Sequence, residues 1–177
     1  ENSDCICVNS SEVSYRKYVY FMLHKPAGYV SATRDNHDKT VLDLMRAQKN
    51  PLLDRELFPV GRLDKDTEGL RLITRQGVDI GEKQRQTDGT QEYIPEKTRP
   101  AGLTQAAQDE FCSDRAESAW LLTITEGKFH QVKRMMQAVG RNVVYLKRLS
   151  MGELRLDEKL ARGEFRELTK DEAEKLM

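Results

Sequence analysis

A short polar segment, Gly61-Arg-Leu-Asp-Lys-Asp-Thr-Glu-Gly69, lies between two apolar runs and concentrates residue types that perform acid, base or nucleophilic chemistry. If the segment is extended, Arg62 and Asp64 share a face, because alternate side chains of an extended chain point the same way. A guanidinium beside a carboxylate favours its ionised form, which suits a nucleophile or a base. By spacing alone, however, a structural ion pair at a turn is the stronger interpretation.

The carboxylates of this segment also raise the question of a metal site. A calcium loop of the EF-hand type that begins at Asp64 needs a bidentate glutamate at its last position, where the chain has Arg75. A metal-dependent phosphohydrolase built on Asp64 and Asp66 is a further alternative, but no remote histidine or carboxylate cluster completes its site. We therefore predict no metal.

The distribution of charge bears on the kind of partner. A net charge of zero over 177 residues argues at first against a nucleic acid. Between Gly127 and Gly152, however, the chain has six lysines and arginines and no acidic residue. Such a segment is typical of surfaces that neutralise phosphates, although a solvated helix face beside the acid-rich tail explains the charge equally well. Two aromatic residues within it, Phe129 and Tyr145, could stack on unpaired bases or belong to the core.

Composition excludes several classes of protein. No run approaches the ~20 apolar residues of a membrane helix, and the first residues lack the pattern of a signal peptide. We therefore expect a soluble, intracellular protein that acts in the cytoplasm without a membrane partner. The three cysteines, Cys5, Cys7 and Cys112, are odd in number and irregularly spaced, which predicts reduced thiols rather than a disulfide or zinc site.

The elements that must position these groups are a mixture of strands and helices. Apolar runs bounded by turn residues predict strands, and apolar residues at helical spacing predict amphipathic helices. The absence of a regular βαβ alternation predicts an α+β fold with a mostly antiparallel sheet. The predicted strands are 19–23, 29–33, 70–74, 120–125 and 142–146. Three helices are predicted: one that begins after a cap at Thr40, one at 130–139 and one at 171–176.

Several motifs, in order along the chain, resemble those of the RsuA-type pseudouridine synthases. They are Leu23-His-Lys-Pro-Ala-Gly28, Pro59-Val-Gly-Arg-Leu-Asp-Lys-Asp-Thr-Glu-Gly-Leu70 and Glu126-Gly-Lys-Phe-His-Gln-Val-Lys-Arg-Met135. The resemblance continues through 146–152 and 163–169. It implies the pseudouridine synthase core, a mixed and mostly antiparallel sheet with flanking helices and a central catalytic cleft.

The resemblance implies an enzyme that isomerises a specific uridine of ribosomal RNA to pseudouridine, in the small subunit. A large-subunit synthase of the same family and a non-catalytic RNA-binding or ribosome-assembly protein stay open as alternatives. No metal, nucleotide or flavin cofactor is implied, because the reaction moves the base without a redox change. The implied partner is ribosomal RNA within an assembly intermediate, and the implied oligomeric state is a monomer.

The same resemblance assigns roles to individual residues. Asp64 is the expected catalytic aspartate, and Arg62 and Lys133 are the basic residues expected to support it. Whether Asp64 attacks the sugar, attacks the base or abstracts a sugar proton stays open. The residues expected to bind RNA are Lys25, Lys128, His130, Gln131, Arg134, Lys147 and Arg148.

The resemblance also predicts the domain organisation. Residues 1–17 resemble only the last strands of an S4-like RNA-binding domain and its linker, and residues 18–177 correspond to the catalytic domain. The family has a longer stretch after position 74, with a Lys-x-Tyr motif whose tyrosine packs against the target base. This sequence lacks that motif, and Tyr93 lies outside it. We therefore expect residues to be missing between 74 and 77.

Overall fold

The computed structural model describes residues 7–8, 11–12, 19–48, 53, 56–75, 98–106 and 118–176. The chain divides into two compact units, one formed by Glu1–Asp79 with Arg148–Met177 and the other by Ile80–Lys147. Among the described residues, no helix combines the length and the apolar character that crossing a membrane would require.

Two short strands precede the main sheet of the first unit. They pair antiparallel, with Cys7 opposite Glu12 and Val8 opposite Ser11, and are β1 (Cys7–Val8) and β2 (Ser11–Glu12). The assignment of residues 1–17 to an S4-like remnant stays a prediction. The expected break between 74 and 77 involves residues 76 and 77, which lie outside those described, and it stays a prediction.

A five-stranded sheet forms the centre of the first unit. Its strands are β3 (Tyr20–Lys25), β4 (Leu57–Pro59), β5 (Glu68–Arg75), β8 (Lys147–Arg148) and β11 (Phe165–Glu167). The order is β11-β3-β5-β4, and β8 also pairs with β5. The pairs of β3 with β5, β3 with β11, and β4 with β5 are antiparallel. The α+β class with a mostly antiparallel sheet is therefore confirmed.

Both faces of β3 and β5 are covered by apolar side chains, which explains why β3 reads as a continuous apolar run rather than an alternation. Side chains alternate between the two faces of each strand. The β3 and β5 residues on one face are Phe21, Leu23 and Ile73, which pack with Val41, Leu42, Met45, Leu53 and Leu57. On the other face Tyr20, Met22, Leu70 and Leu72 pack with Leu154 and Leu168.

The helix predicted after Thr40 is present as α1 (Val41–Arg46). The Thr40 hydroxyl accepts a hydrogen bond from the Asp43 backbone N–H at 3.1 Å, and the Asp43 carboxylate accepts one from the Thr40 N–H at 2.9 Å. This reciprocal capping box satisfies two N–H groups that the helix itself leaves unpaired. The apolar face of α1 can therefore pack on the sheet while the start of the helix keeps its hydrogen bonds.

Two of the predicted strands are wrong. The segment 29–33 does not form a hairpin with β3, because its Val30 N–H donates to the Lys39 carbonyl at 3.0 Å and leads the chain into α1. Residues 142–146 also lack strand pairing, and strand structure begins only at Lys147. In both segments β-prone residues lack a neighbouring strand, and tertiary context decides strand formation more than propensity does.

The second unit carries a two-stranded ribbon and a basic helix. The ribbon strands pair antiparallel from Gly102↔Thr123 to Gln105↔Trp120. The predicted helix at 130–139 is confirmed within about a residue at each end. These elements are β6 (Gly102–Gln105), β7 (Trp120–Thr123) and α2 (Gln131–Ala138).

The chain ends in a hairpin and a capped helix that belong to the first unit. The hairpin consists of β9 (Ser150–Met151) and β10 (Leu154–Arg155), and the predicted terminal helix is present as α3 (Lys170–Glu174). On α3, the Glu172 carboxylate accepts two hydrogen bonds from the Arg166 guanidinium, each 2.7 Å long. Arg166 also donates to Asp157 at 2.7 Å, so one β11 residue connects the helix to the preceding loop.

This network predicts a pH-dependent contribution to stability. The hydrogen bonds from Arg166 lower the pKa of Glu172 from 4.5 to about 2. A lowered carboxylate pKa adds stability above the unfolded value, which is lost as the pH falls through the folded one. We expect Glu172→Gln to reduce the free energy of unfolding at neutral pH by about 2 kcal/mol, after an allowance for partial exposure.

Urea unfolding at a series of pH values tests this expectation. The cost of Glu172→Gln should shrink steadily from about pH 5 downward, and glutamine preserves the capping box with Thr169. Glu174→Gln, on an exposed position of the same helix, is the control and should change stability by less than about 0.5 kcal/mol. A cost that is equal at neutral and acidic pH would contradict the assignment.

Candidate active site

The segment Gly61–Thr67, here called the aspartate loop, connects β4 to β5 in the first unit. Asp64 lies half-buried in the middle of this loop, whereas Arg62 is exposed. The loop has no regular secondary structure, so its backbone polar groups need partners elsewhere. Those partners determine how firmly the Asp64 carboxylate is held.

Lys25, the last residue of β3, holds the aspartate loop from beneath. Its side chain is 0% exposed. The ammonium donates hydrogen bonds to the carbonyl oxygens of Asp64 and Lys65, both at 3.1 Å, and of Thr67 at 2.7 Å. It also lies 3.1 Å from the Pro26 carbonyl oxygen, so its N–H groups are shared among four acceptors. One buried cation therefore fixes three peptide groups around the candidate nucleophile.

Further contacts hold the loop at its N-terminal side. The Ser31 hydroxyl donates to the Leu63 carbonyl at 2.8 Å and accepts from the Leu63 N–H at 3.1 Å. The Arg71 guanidinium, on β5, donates to the Gly61 carbonyl. The Gly28 N–H donates to the Lys65 carbonyl at 2.8 Å. The turn after β3 and the aspartate loop are thus joined directly.

The position of Lys25 corrects its predicted role as an RNA contact. Burial, followed by the charge of the nearby Arg71, lowers the pKa of Lys25 to about 8, so it remains largely protonated at neutral pH. A fully buried ammonium occupied by four carbonyl oxygens does not reach a phosphate. Lys25 is instead a positioning residue, and the His-Lys-Pro-Ala-Gly motif contributes to the shape of the site rather than to its surface charge.

We expect Lys25→Met to reduce the free energy of unfolding by about 3 kcal/mol, because it leaves buried carbonyl groups of the aspartate loop without a donor. Methionine fills a similar volume, so the loss reports on hydrogen bonds rather than on a cavity. The measurement is urea unfolding. Lys65→Met is the control, since the Lys65 ammonium forms a partly exposed ion pair with Asp38 and should contribute less than about 1 kcal/mol. An equal loss of unfolding free energy in the two variants would show that the Lys25 hydrogen bonds do not hold the aspartate loop.

Arg148, a predicted RNA contact, also forms a hydrogen bond with the sheet. Its Nε donates to the Leu70 carbonyl at 2.9 Å, and its Nη2 is buried. Burial lowers the pKa of Arg148, and burial together with Arg148 lowers the pKa of Arg71 to about 9. Two guanidiniums therefore lie near each other beside β5. Arg148 as a whole is partly exposed, and its role in RNA binding stays a prediction.

The remaining predicted residues lie in the second unit, most of them on or beside α2. Gln131 is a correction, because it is only 4% exposed and its side chain is used inside the unit. Its Oε1 accepts from the Lys128 N–H at 2.9 Å, and its Nε2 donates to Glu126 at 3.3 Å. The contact of Lys133 with Asp64 stays a prediction. The residues that keep a partly exposed position and a predicted RNA role are Lys128, His130, Arg134, Lys147 and, in the first unit, Arg148.

Sequence reasoning missed two residues that hold the aspartate loop. Ser31 is 32 positions from its partner Leu63, and no local pattern connects them. Arg71 did carry a signal, since it is a cation at a strand position that shares the inward face of Ile73. A charged residue in a buried strand requires a polar partner, and the Gly61 carbonyl supplies it.

The arrangement offers a carboxylate on a loop whose backbone is fixed, which is the requirement for a positioned nucleophile or base. In the part of the chain that the structure describes, no group of three or more His, Cys, Asp or Glu side chains could hold a metal ion.

Comparison with known proteins identifies relatives of this chain. A family described as RNA pseudouridylate synthase matches residues 19–98, which include Lys25, Ser31, Asp64 and Arg71. The chain is 39% identical to the uncharacterized RNA pseudouridine synthase YtzG of Bacillus subtilis, over 94% of this chain and 77% of that protein. It is 36% identical to the ribosomal small subunit pseudouridine synthase A of Escherichia coli, over 86% of this chain and 71% of the relative.

A solved structure agrees with these relatives. The crystal structure of a pseudouridylate synthase is similar to this chain with a TM-score of 0.69 and 31% sequence identity. The match covers 94% of this chain and 77% of that one. The similarity thus extends over both units and is not restricted to the aspartate loop.

Proposed function

Because this chain belongs to the RsuA-type family of RNA pseudouridine synthases, we propose that it isomerises a specific uridine of small-subunit ribosomal RNA to pseudouridine. The observation that carries this proposal is the aspartate loop. It places Asp64 half-buried on a backbone held by Lys25, Ser31 and Arg71, all within the matched residues 19–98. Relatives that are named for the small ribosomal subunit support the choice of RNA.

The reaction can be started by a single carboxylate. The bond between C1′ of the ribose and N1 of uracil breaks, the base turns, and C1′ bonds to C5. The proton on C5 then leaves and N1 gains one, so no atoms are lost overall. One ionised carboxylate can start this sequence by attack or by proton abstraction, provided that it is held close to the nucleotide. Asp64 is the residue we assign to this step.

Access to the uridine adds a demand on binding. A stacked base must leave its neighbours before Asp64 can reach it, at a cost of a few kcal/mol unless it is already unpaired. Contacts to flanking phosphates can offset this cost. We assign these contacts to Lys128, Arg134 and Lys147, which lie in the acid-free segment from Gly127 to Gly152.

The test is to incubate the intact chain, without added metal, with unmodified small-subunit or large-subunit ribosomal RNA. Pseudouridine is then quantified in the digested RNA and mapped by primer extension. We expect one modified position in small-subunit RNA. A product in large-subunit RNA alone would overturn the choice of subunit, and RNA binding without any product would replace the enzyme by a binding protein.

We further propose that the protein acts as a cytoplasmic monomer on an assembly intermediate of the small subunit. A target that becomes buried in the finished subunit would be accessible only before assembly is complete. Comparison of naked RNA, partly assembled particles and mature subunits as substrates tests this idea. We expect the mature subunit to be the poorest substrate, and sedimentation of the free protein to show a single-chain mass.

A further inference from the structure

Two aromatic rings lie exposed at the tip of the turn that precedes α2. Phe129 is 67% exposed, although large apolar side chains are usually buried. Its ring stacks on the ring of His130, with 3.9 Å between centroids and 18° between planes. One face of the phenyl ring is thus covered by imidazole, and its exposed area lies on the opposite face and the edges. We call these two residues the aromatic tip.

The turn beneath the aromatic tip is held by several hydrogen bonds. The Gln131 N–H donates to the Lys128 carbonyl at 3.1 Å, and the Gln131 side chain accepts from the Lys128 N–H at 2.9 Å. The Arg134 N–H donates to the His130 carbonyl at 3.0 Å, at the start of α2. Both ends of the turn are therefore fixed, and the rings are presented on a backbone with little freedom.

The backbone of His130 has a left-handed conformation. His130 is the one non-glycine residue with a positive φ in the described part of the chain, at φ 47° and ψ 31°. It occupies the N-cap of α2 but makes no capping hydrogen bond with its side chain. A left-handed conformation is unfavourable at a non-glycine residue and tends to occur at functional sites.

The charges around the aromatic tip favour a polyanion. An Arg134 Nη1 lies 3.5 Å from the Phe129 carbonyl oxygen, which keeps its guanidinium beside the tip. Glu126, the acidic residue just before the tip in sequence, accepts from the Arg99 N–H at 2.6 Å and from Gln131, and it lies 3.9 Å from the Lys128 ammonium. The sequence from Gly127 to Gly152 contains no acidic residue. A nucleic acid matches an aromatic face beside cations better than an apolar protein surface does.

We propose that the aromatic tip is a stacking site for an unpaired nucleobase of the RNA, with Phe129 as the ring that contacts the base. The proposal rests on the proposed RNA substrate and adds a base contact in the second unit. Stacking on a ring depends on the π-face shared by all bases, so the contact provides affinity for single-stranded RNA without selecting a sequence. Phosphate contacts by cations such as Arg134 would act independently of it.

The experiment measures binding of the full chain to a short labelled oligouridine by fluorescence anisotropy over a range of salt concentrations. Phe129→Leu should weaken binding roughly 5- to 100-fold, because it removes one base–ring stack. Phe129→Tyr retains the aromatic face and should remain within about twofold of wild type. The slope of affinity against salt should stay the same for both variants, since the number of neutralised phosphates is unchanged.

Two further variants keep the result interpretable. Val139→Ala, at a 68% exposed position of the same unit, should not change affinity. Arg134→Gln should lower the salt slope by about one if it contacts a phosphate. Thermal unfolding of each variant verifies that the fold is retained.

The outcomes separate this proposal from the enzymatic one. Wild-type affinity for Phe129→Leu, or an equal loss of single-stranded and duplex RNA binding, would overturn the stacking site. A wild-type chain that does not bind oligouridine would overturn it too. A selective loss with Phe129→Leu supports the site even if no pseudouridine is formed, in which case only the proposed function fails.

Discussion

Asp64→Asn should abolish pseudouridine formation, with a fall in turnover of roughly 10³-fold or more. Asparagine has the shape of aspartate but is neither a nucleophile nor a base at neutral pH. The Asp64 backbone carbonyl accepts hydrogen bonds from the Lys25 ammonium and from the Thr67 N–H, and asparagine keeps both of them. The variant should therefore fold and bind RNA normally, and the loss should appear in the chemical step under single-turnover conditions.

A neighbouring carboxylate provides the matched control for Asp64→Asn. Asp66 lies exposed in the same loop, and Asp66→Asn should leave turnover within about twofold of wild type. Comparable losses for the two variants would instead indicate a site that uses both carboxylates, as in the phosphohydrolase alternative. Substantial turnover by Asp64→Asn with normal RNA affinity would remove Asp64 from the catalytic role.

Gly69→Ala should be among the most destabilising single substitutions in the described part of the chain. Gly69 follows the aspartate loop and has a φ of +103°, which side chains rarely adopt. A Cβ atom at this position would overlap the Arg148 carbonyl oxygen and lie 2.7 Å from the Arg148 amide nitrogen. Both are backbone atoms of a paired strand, so neither can move without disturbing β8.

Strain and overlap together should lower the free energy of unfolding by about 4 kcal/mol, as measured by urea titration. Gly28→Ala separates the two causes. Gly28 has a nearly equal φ of +92°, but a Cβ atom there would meet no other atom within 4 Å, so its substitution should cost only about 1–2 kcal/mol. Equal losses at the two positions would show that the close approach of β8 contributes nothing.

Local signals in the sequence identified several elements correctly. The cap at Thr40 and the helical spacing after His130 depend on residues within a few positions of one another, and both helices are present. Strand pairing was harder to anticipate. β3 pairs with β5 and β11, across many intervening residues, rather than with the adjacent segment 29–33. A strand pattern specifies a face to bury but not which distant strand will bury it.

In the candidate site, too, local sequence predicts some features and not those that depend on distant residues. Asp64 and its motif can be found from sequence because the chemistry requires a particular residue type in a fixed order of neighbours. The sequence could not show that Lys25 is buried and bonded to the Asp64 carbonyl, since a lysine is usually a surface residue. The sequence also could not show that Gln131 is buried in the second unit, where its side chain holds the turn below the aromatic tip.

The sequence by itself determined the family resemblance, the candidate nucleophile and the helices whose caps and periodicity are local. Only the tertiary structure decided which cations face solvent and which hold the aspartate loop. The physical reason is that a charged side chain near the end of a strand is stabilised either by hydration or by hydrogen bonds to buried carbonyl groups. The choice depends on whether the fold brings those carbonyls within hydrogen-bond distance, as it does for Lys25.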